Sequence, residues 1–140
     1  MKDPSLLLGK NPVVADHKIP SELRKQLNSL TTNPVLEVPV RHKGITSGTA
    51  KSCYWNSNHA AQTWGGDNIY GWAISYYEEV DAWSVYGHGV WLNPEGQLCD
   101  VTSTPNKDKT IFFLPYTNKL VLNAKVTESM ASFFFPMSAA

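Results

Sequence analysis

The chain is predicted to fold as an α+β domain, and three observations predict it. Leu23, Leu27 and Leu30 recur at spacings of four and three, the stripe of a short amphipathic helix. A second helical stretch follows Thr49 and runs to a stop at Gly65-Gly66. From Ile69 onward the chain turns to short aromatic and β-branched runs separated by turn residues, as in antiparallel strands. Helices followed by strands, rather than an alternation of the two, separate α+β from α/β.

Length and composition agree with one such domain. The 140 residues are 42% hydrophobic and 17% charged, enough apolar material for a core, which excludes a disordered chain. Lys and Arg number 12, as do Asp and Glu. A balanced chain has no broad field for gripping nucleic acid or an anionic membrane, so neither is expected as a partner. Two cysteines do not make a disulfide framework, although a Cys53–Cys99 bridge remains open. The Leu6-Leu7-Leu8 run is too short for a signal peptide, and no stretch has the length of a membrane span. A cytoplasmic, reducing location with free thiols is the expectation.

Residues 1–19, punctuated by Pro4, Gly9 and Pro12, are expected to form an extended, loosely attached arm, with residues 20–140 as the single domain. The first helix starts near Ser21, a capping residue, and ends by Thr31-Thr32-Asn33-Pro34. Val35–Val40 reads as a strand that Pro39 pushes to a sheet edge, and residues 43–48 as a loop. The second helix takes Thr49 or Ser52 as its cap. It places Cys53, Ser57, Ala60, Ala61 and Trp64 on one face. Strands are expected at Ile69–Tyr77, Ala82–Tyr86, His88–Leu92, Gln97–Thr102 and Ile111–Leu114, with another in Lys119–Val126. Together they read as a meander. Ser132–Met137 is an apolar tail that must dock or else mark a partner surface.

One turn decides where the polar residues of these strands point. Asn93-Pro94-Glu95-Gly96 has Asn first, Pro second and Gly fourth, the pattern of a type I turn. With Gly96 left-handed it becomes a three-residue hairpin loop with a G1 bulge. Asn93 then pairs with Gln97, and His88, Val90, Leu92, Leu98, Asp100 and Thr102 share one face. His88 and Asp100 become diagonal neighbours, while Cys99 and Trp91 point the other way. A register one residue different would separate His88 from Asp100.

Three groups with joint chemistry are thereby brought into view. Cys53 sits near a helix start, where the dipole and free N–H groups favour a thiolate. His88 can exchange a proton near neutral pH. Asp100 can hold the imidazole in one tautomer and stabilise its charged form. Each alone has a plainer reading: Cys53 as a small buried residue, His88 as structural, Asp100 as a turn support. Asn56, one helical turn after Cys53, could line a site or face solvent. Gly87 and Gly89 could clear space around His88 for a substrate chain, and Thr102 shares the face of Asp100.

The order Cys53, His88, Asp100, with Cys53 at a helix start, resembles the papain-like and transglutaminase-like cysteine enzymes. The resemblance is closest in His88-Gly89-Val90-Trp91-Leu92 and Gly96-Gln97-Leu98-Cys99-Asp100-Val101-Thr102. There a histidine strand, a turn and a strand ending in Asp-x-Thr follow one another, as in the transglutaminase-like core. Arylamine acetyltransferases of the same superfamily carry a comparable arrangement. The likeness spans about residues 49–104. It implies a nucleophile-bearing helix packed on an antiparallel sheet, with Cys53 as nucleophile, His88 as base and acid, and Asp100 as the orienting group. The implied activity is thiol-dependent hydrolysis or acyl transfer at an amide of a peptide or protein, of the peptidase, amidase or glutamine deamidase type. Gly89 stands where a transglutaminase usually has a larger residue, and no clear Gln precedes Cys53, so the substrate class is not carried over.

No cofactor is implied. Cys53, His88, Cys99 and Asp100 are ligand types, but strand parity separates Cys99 and no Cys-x-x-Cys or His-x-His spacing exists, so no metal is expected. His59 does not share the Cys53 face and reads as surface; His17 and His42 fall in loops. The five Trp read mainly as core, with an aromatic ligand groove as the other reading. The rival function is a non-catalytic binding module on the same fold, of the phage or host-interaction kind, with Cys53 buried and Phe133-Phe134-Phe135 as a partner surface.

Overall fold

The structure, a computed structural model, describes residues 7–41, 53–102, 109–117 and 132–137. The side chains of Cys53, Tyr54 and Trp55 are outside that description, as are the expected 43–48 loop, the Thr49 and Ser52 caps, His42 and the 119–126 strand. Among the described residues the chain is α+β: two α-helices and a six-stranded sheet.

Helix α1 spans Ser21–Leu27 and buries Leu23 and Leu27 completely. Pro20, with φ −59° and ψ 140°, occupies the capping position, and Ser21, expected to cap, is the first helical residue instead. Proline's fixed φ turns the extended chain into the helix without a side-chain cap. The Arg24 guanidinium donates to Asp16 Oδ1 at 3.0 Å and to the Thr31 carbonyl at 3.2 Å, and Asp16 Oδ1 also accepts from the Val35 N–H at 3.0 Å. The helix is thus tied to the segments on both sides of it.

Strand β1 (Leu36–Pro39) does lie at the end of the strand path, as Pro39 requires. Helix α2 spans Cys53–Trp64 and stops at Gly65 and Gly66, both left-handed with φ +89° and +87°. Strands β2 (Asp67–Tyr77) and β3 (Ala82–Leu92) pair along eleven residues each. The two strands expected at 82–86 and 88–92 are therefore one, because Gly87 and Gly89 stay extended opposite Trp72 and Tyr70. Strand β4 (Leu98–Cys99) is short. Strand β5 (Thr110–Thr117) returns to pair with both β2 and β1, and β6 (Phe133–Pro136) pairs with the opening residues of β3. The order β1-β5-β2-β3-β4 corrects the expected meander: a non-local strand is inserted between β1 and β2. The apolar tail docks through β6, leaving Phe134 65% exposed.

After β4 the chain crosses to the opposite edge of the sheet. The Asp100 N–H donates to the Pro39 carbonyl at 2.8 Å, and the Arg41 N–H donates to the Asp100 carbonyl at 2.7 Å. This bridge between Val40 and Asp100 joins the two ends of the strand path, and the sheet curls into a small, partly closed barrel. Leu36, Val38, Ile69, Val90, Leu98 and Phe113 fill its inner face. Outside, α1 covers Trp72, Ile74, Val85 and Leu114, while α2 rests Ala60 against Trp91, Cys99 and Val101.

The N-terminal segment is not loosely attached over its described residues. Leu7 and Leu8 pack on the inner cluster, the Lys10 N–H donates to the Gly96 carbonyl, and Val14 bridges Leu36. Ala15 is fully buried. Short apolar groups at irregular spacing carry no period, yet Leu7, Leu8 and Ala15 pack into the two larger apolar clusters.

Candidate active site

The site is built on the Asn93–Gly96 turn. The Gly96 N–H donates to the Asn93 carbonyl, Gln97 N–H donates to Asn93 Oδ1, and Gly96 has φ +86°. Leu92 pairs with Leu98 and Trp91 with Cys99, the register expected from the turn. Strand alternation sends His88 to the inner face, where its ring meets the edges of Tyr86 and Phe113 at centroid distances of 6.0 and 6.4 Å. Neither aromatic neighbour was singled out from the sequence. Tyr86, two residues before His88, shares its face by alternation, whereas Phe113 arrives through the non-local β5 pairing.

Asp100 completes the pair. Its Oδ1 lies 3.0 Å from His88 Nε2, with His88 4% and Asp100 1% exposed. The same oxygen accepts the Thr102 N–H at 3.1 Å. An ionised carboxylate only accepts, so in this contact the His88 Nε2–H is the donor.

The network continues to α2. Asn56 Nδ2 donates to Thr102 Oγ1 at 3.2 Å, and both residues are buried. Asn56 is therefore not solvent-facing. Buried hydrogen bonds of this kind fix one arrangement because breaking any of them leaves a polar group stranded. Asn56, a candidate to line a site, and Thr102, on the face of Asp100, are thus brought together in one hydrogen bond. Gly87 and Gly89 are placed by the same alternation on the outer face, opposite Trp72 and Tyr70 in register.

Cys53 is the first residue of α2, three positions before Asn56. The body of α2 packs on the outer face through Ala60, whereas His88 and Asp100 face inward. The hydrogen bonds of Thr102 connect the two: its N–H to Asp100 and its hydroxyl to Asn56 of α2. Cys99 is buried, and its Sγ accepts from Asn93 Nδ2 at 3.7 Å. His59 is exposed and stacks edge-on with Trp64, itself 40% exposed, while Trp72 and Trp91 are core. His17 is exposed on a single 3-10 turn, Asp16–Lys18. Among the described residues, no three His, Cys, Asp or Glu side chains come together as metal ligands.

A cleft of about 170 Å³ lies elsewhere, between the N-terminal segment and β1, lined by Leu8, Lys10, Val38, Arg41 and Leu98 among others. It does not include His88 or Asp100. Comparison with protein-family models, with curated proteins and with solved structures gave no match.

Proposed function

We propose that the chain is a thiol-dependent hydrolase or acyl transferase acting on an amide of a peptide or protein through Cys53, His88 and Asp100. The observation that carries this reading is the buried hydrogen-bond chain from His88 through Asp100 and Thr102 to Asn56, in the first turn of the helix that Cys53 opens. On this reading His88 Nδ1 draws the thiol proton and the Cys53 thiolate attacks the carbonyl carbon. The backbone N–H groups at the α2 start favour the negative charge that develops on the carbonyl oxygen. His88 then gives its proton to the leaving amine, and Asp100 stabilises the imidazolium between the two transfers. Water resolves the thioester in a hydrolase, and an amine does so in a transferase. The residues in these roles need no cofactor. Among the described residues no helix is long and apolar enough to cross a membrane. The balanced charge favours neither nucleic acid nor an anionic lipid surface.

The placement of α2 on the outer face favours a second reading, in which His88 and Asp100 are a structural pair inside a non-catalytic binding module. Exposed Phe134 would then belong to a partner surface.

Iodoacetamide alkylation followed by mass spectrometry across pH 5 to 9 separates the two. Buried Cys99 is the internal control. The catalytic reading expects Cys53 to react well below the ordinary thiol value of ~8.5 and its profile to move in His88→Ala. A Cys53 that reacts no earlier than an ordinary thiol and ignores His88→Ala overturns it.

A further inference from the structure

We infer that Asn56 is a positioning residue that acts on His88 through Thr102 and Asp100. The inference rests on the catalytic reading above for its purpose, but its geometry is independent of Cys53. The sheet alone cannot set α2 relative to His88, because α2 packs on the outer face and the imidazole lies on the inner one. The two are connected through Thr102, which works in both directions: its N–H donates to Asp100 Oδ1 at 3.1 Å, and its hydroxyl oxygen accepts from Asn56 Nδ2 at 3.2 Å. Asp100 in turn accepts from His88 Nε2 at 3.0 Å. The four residues are 0%, 2%, 1% and 4% exposed in the order Asn56, Thr102, Asp100, His88, so water does not compete for these bonds.

The chemistry at position 56 is specific. A carboxamide supplies a neutral N–H donor at this reach, whereas Asp supplies only acceptors and Ala supplies nothing. Asn within a helix is otherwise a poor choice, since its side chain competes for the backbone. With the donor present, Thr102 is held, its N–H stays on Asp100, and Asp100 keeps the His88 ring with Nε2–H toward it. Without it, Thr102 is free to turn and the imidazole samples both tautomers. Asn56 thereby sets which ring nitrogen carries the lone pair, without touching His88.

Nitrogen-15 spectra of the His88 ring test this in the full chain. Thr102→Val keeps the shape and the N–H but removes the hydroxyl acceptor; Thr102→Ser restores it; Asn56→Ala removes the donor. Wild type and Thr102→Ser are expected to show the Nε2–H tautomer alone, and Thr102→Val and Asn56→Ala a mixture of the two. Folding of each variant is checked by its unfolding midpoint, and the spectra are taken well below it. If Thr102→Val and Asn56→Ala lower the midpoint but leave the tautomer unmixed, the link is only structural and the inference falls. Failure of the thiol chemistry is read separately, from Cys53 alkylation in the same samples, so the tautomer result stands or falls by itself.

Discussion

The carboxylate of Asp100 and the imidazole of His88 meet at 3.0 Å across a hairpin whose register is set at Gly96, the left-handed residue of the turn. A single extra residue in that turn is therefore expected to part them. Inserting one Gly between Glu95 and Gly96 moves Asp100 to the other parity, where α2 and Trp91 stand. The tautomer signal of His88 should broaden to a mixture, and the unfolding midpoint should fall. A variant with unchanged His88 spectra would show that the bridge to β1, not the turn, places Asp100.

Asp100→Ala removes the acceptor for two buried donors, the His88 Nε2–H and the Thr102 N–H. The expected loss is about 2–4 kcal/mol of unfolding free energy, because both donors stay buried without a partner. Asp100→Asn retains an acceptor oxygen and should lose less. Urea unfolding of the two variants beside wild type checks the order.

The end of α2 offers a comparison between adjacent glycines. A Cβ on Gly66 would stand 2.0 Å from the Leu92 carbonyl oxygen, whereas one on Gly65 would, among the described residues, meet first the Pro94 ring at 3.5 Å. Both are left-handed, so Gly65→Ala should cost roughly 1–2 kcal/mol from backbone conformation alone. Gly66→Ala should cost clearly more, since backbone must move, and expression in soluble form is the first readout.

Glu37 is held below its ordinary range, first by the hydrogen bond from Lys18 Nζ at 2.8 Å, while partial burial opposes the shift. A carboxylate lowered in the folded state stabilises the fold above the unfolded value, and that contribution is lost as pH falls through the folded value. Carbon-13 titration of the Glu37 carboxyl should show a higher midpoint in Lys18→Met than in wild type. Because the pair is partly exposed, the change in stability should be small and sensitive to salt.

Removing residues 1–15 should be costly despite their irregular pattern. Leu7 and Leu8 leave the inner cluster, and the outer edge of β1 loses the hydrogen bonds from the Glu37 N–H to the Val13 carbonyl and from the Ala15 N–H to the Val35 carbonyl. Roughly 2–4 kcal/mol of stability is expected to go with them. The exposed strand edge should promote self-association, visible by light scattering.

The sequence carried the local relationships well and the non-local ones poorly. Asn93, Pro94 and Gly96 specify a turn through their own backbone preferences, so the register from Leu92 to Leu98 could be read without knowing the fold. Pro39 lacks an N–H wherever it is placed, so β1 at the end of the path was equally legible. The insertion of β5 between β1 and β2 was not, because pairing of Phe113 with Leu36 and Ala73 depends on apolar surfaces that many partners would satisfy. The stripe of α2 marks a face to be buried but not the side of the sheet that buries it. Whether Asn56 faced a site or solvent was open until its partner, 46 residues onward, was in place.

The bridge at Val40 and Asp100 has one more consequence. Asp100 gives its main chain to the seam of the barrel and its side chain to His88. Opening the seam is therefore expected to pull the carboxylate away from His88 as well, since one residue holds both contacts. Amide exchange at Asp100 and Arg41 then measures, in one free energy, both how often the sheet unzips and how often the imidazole loses its partner.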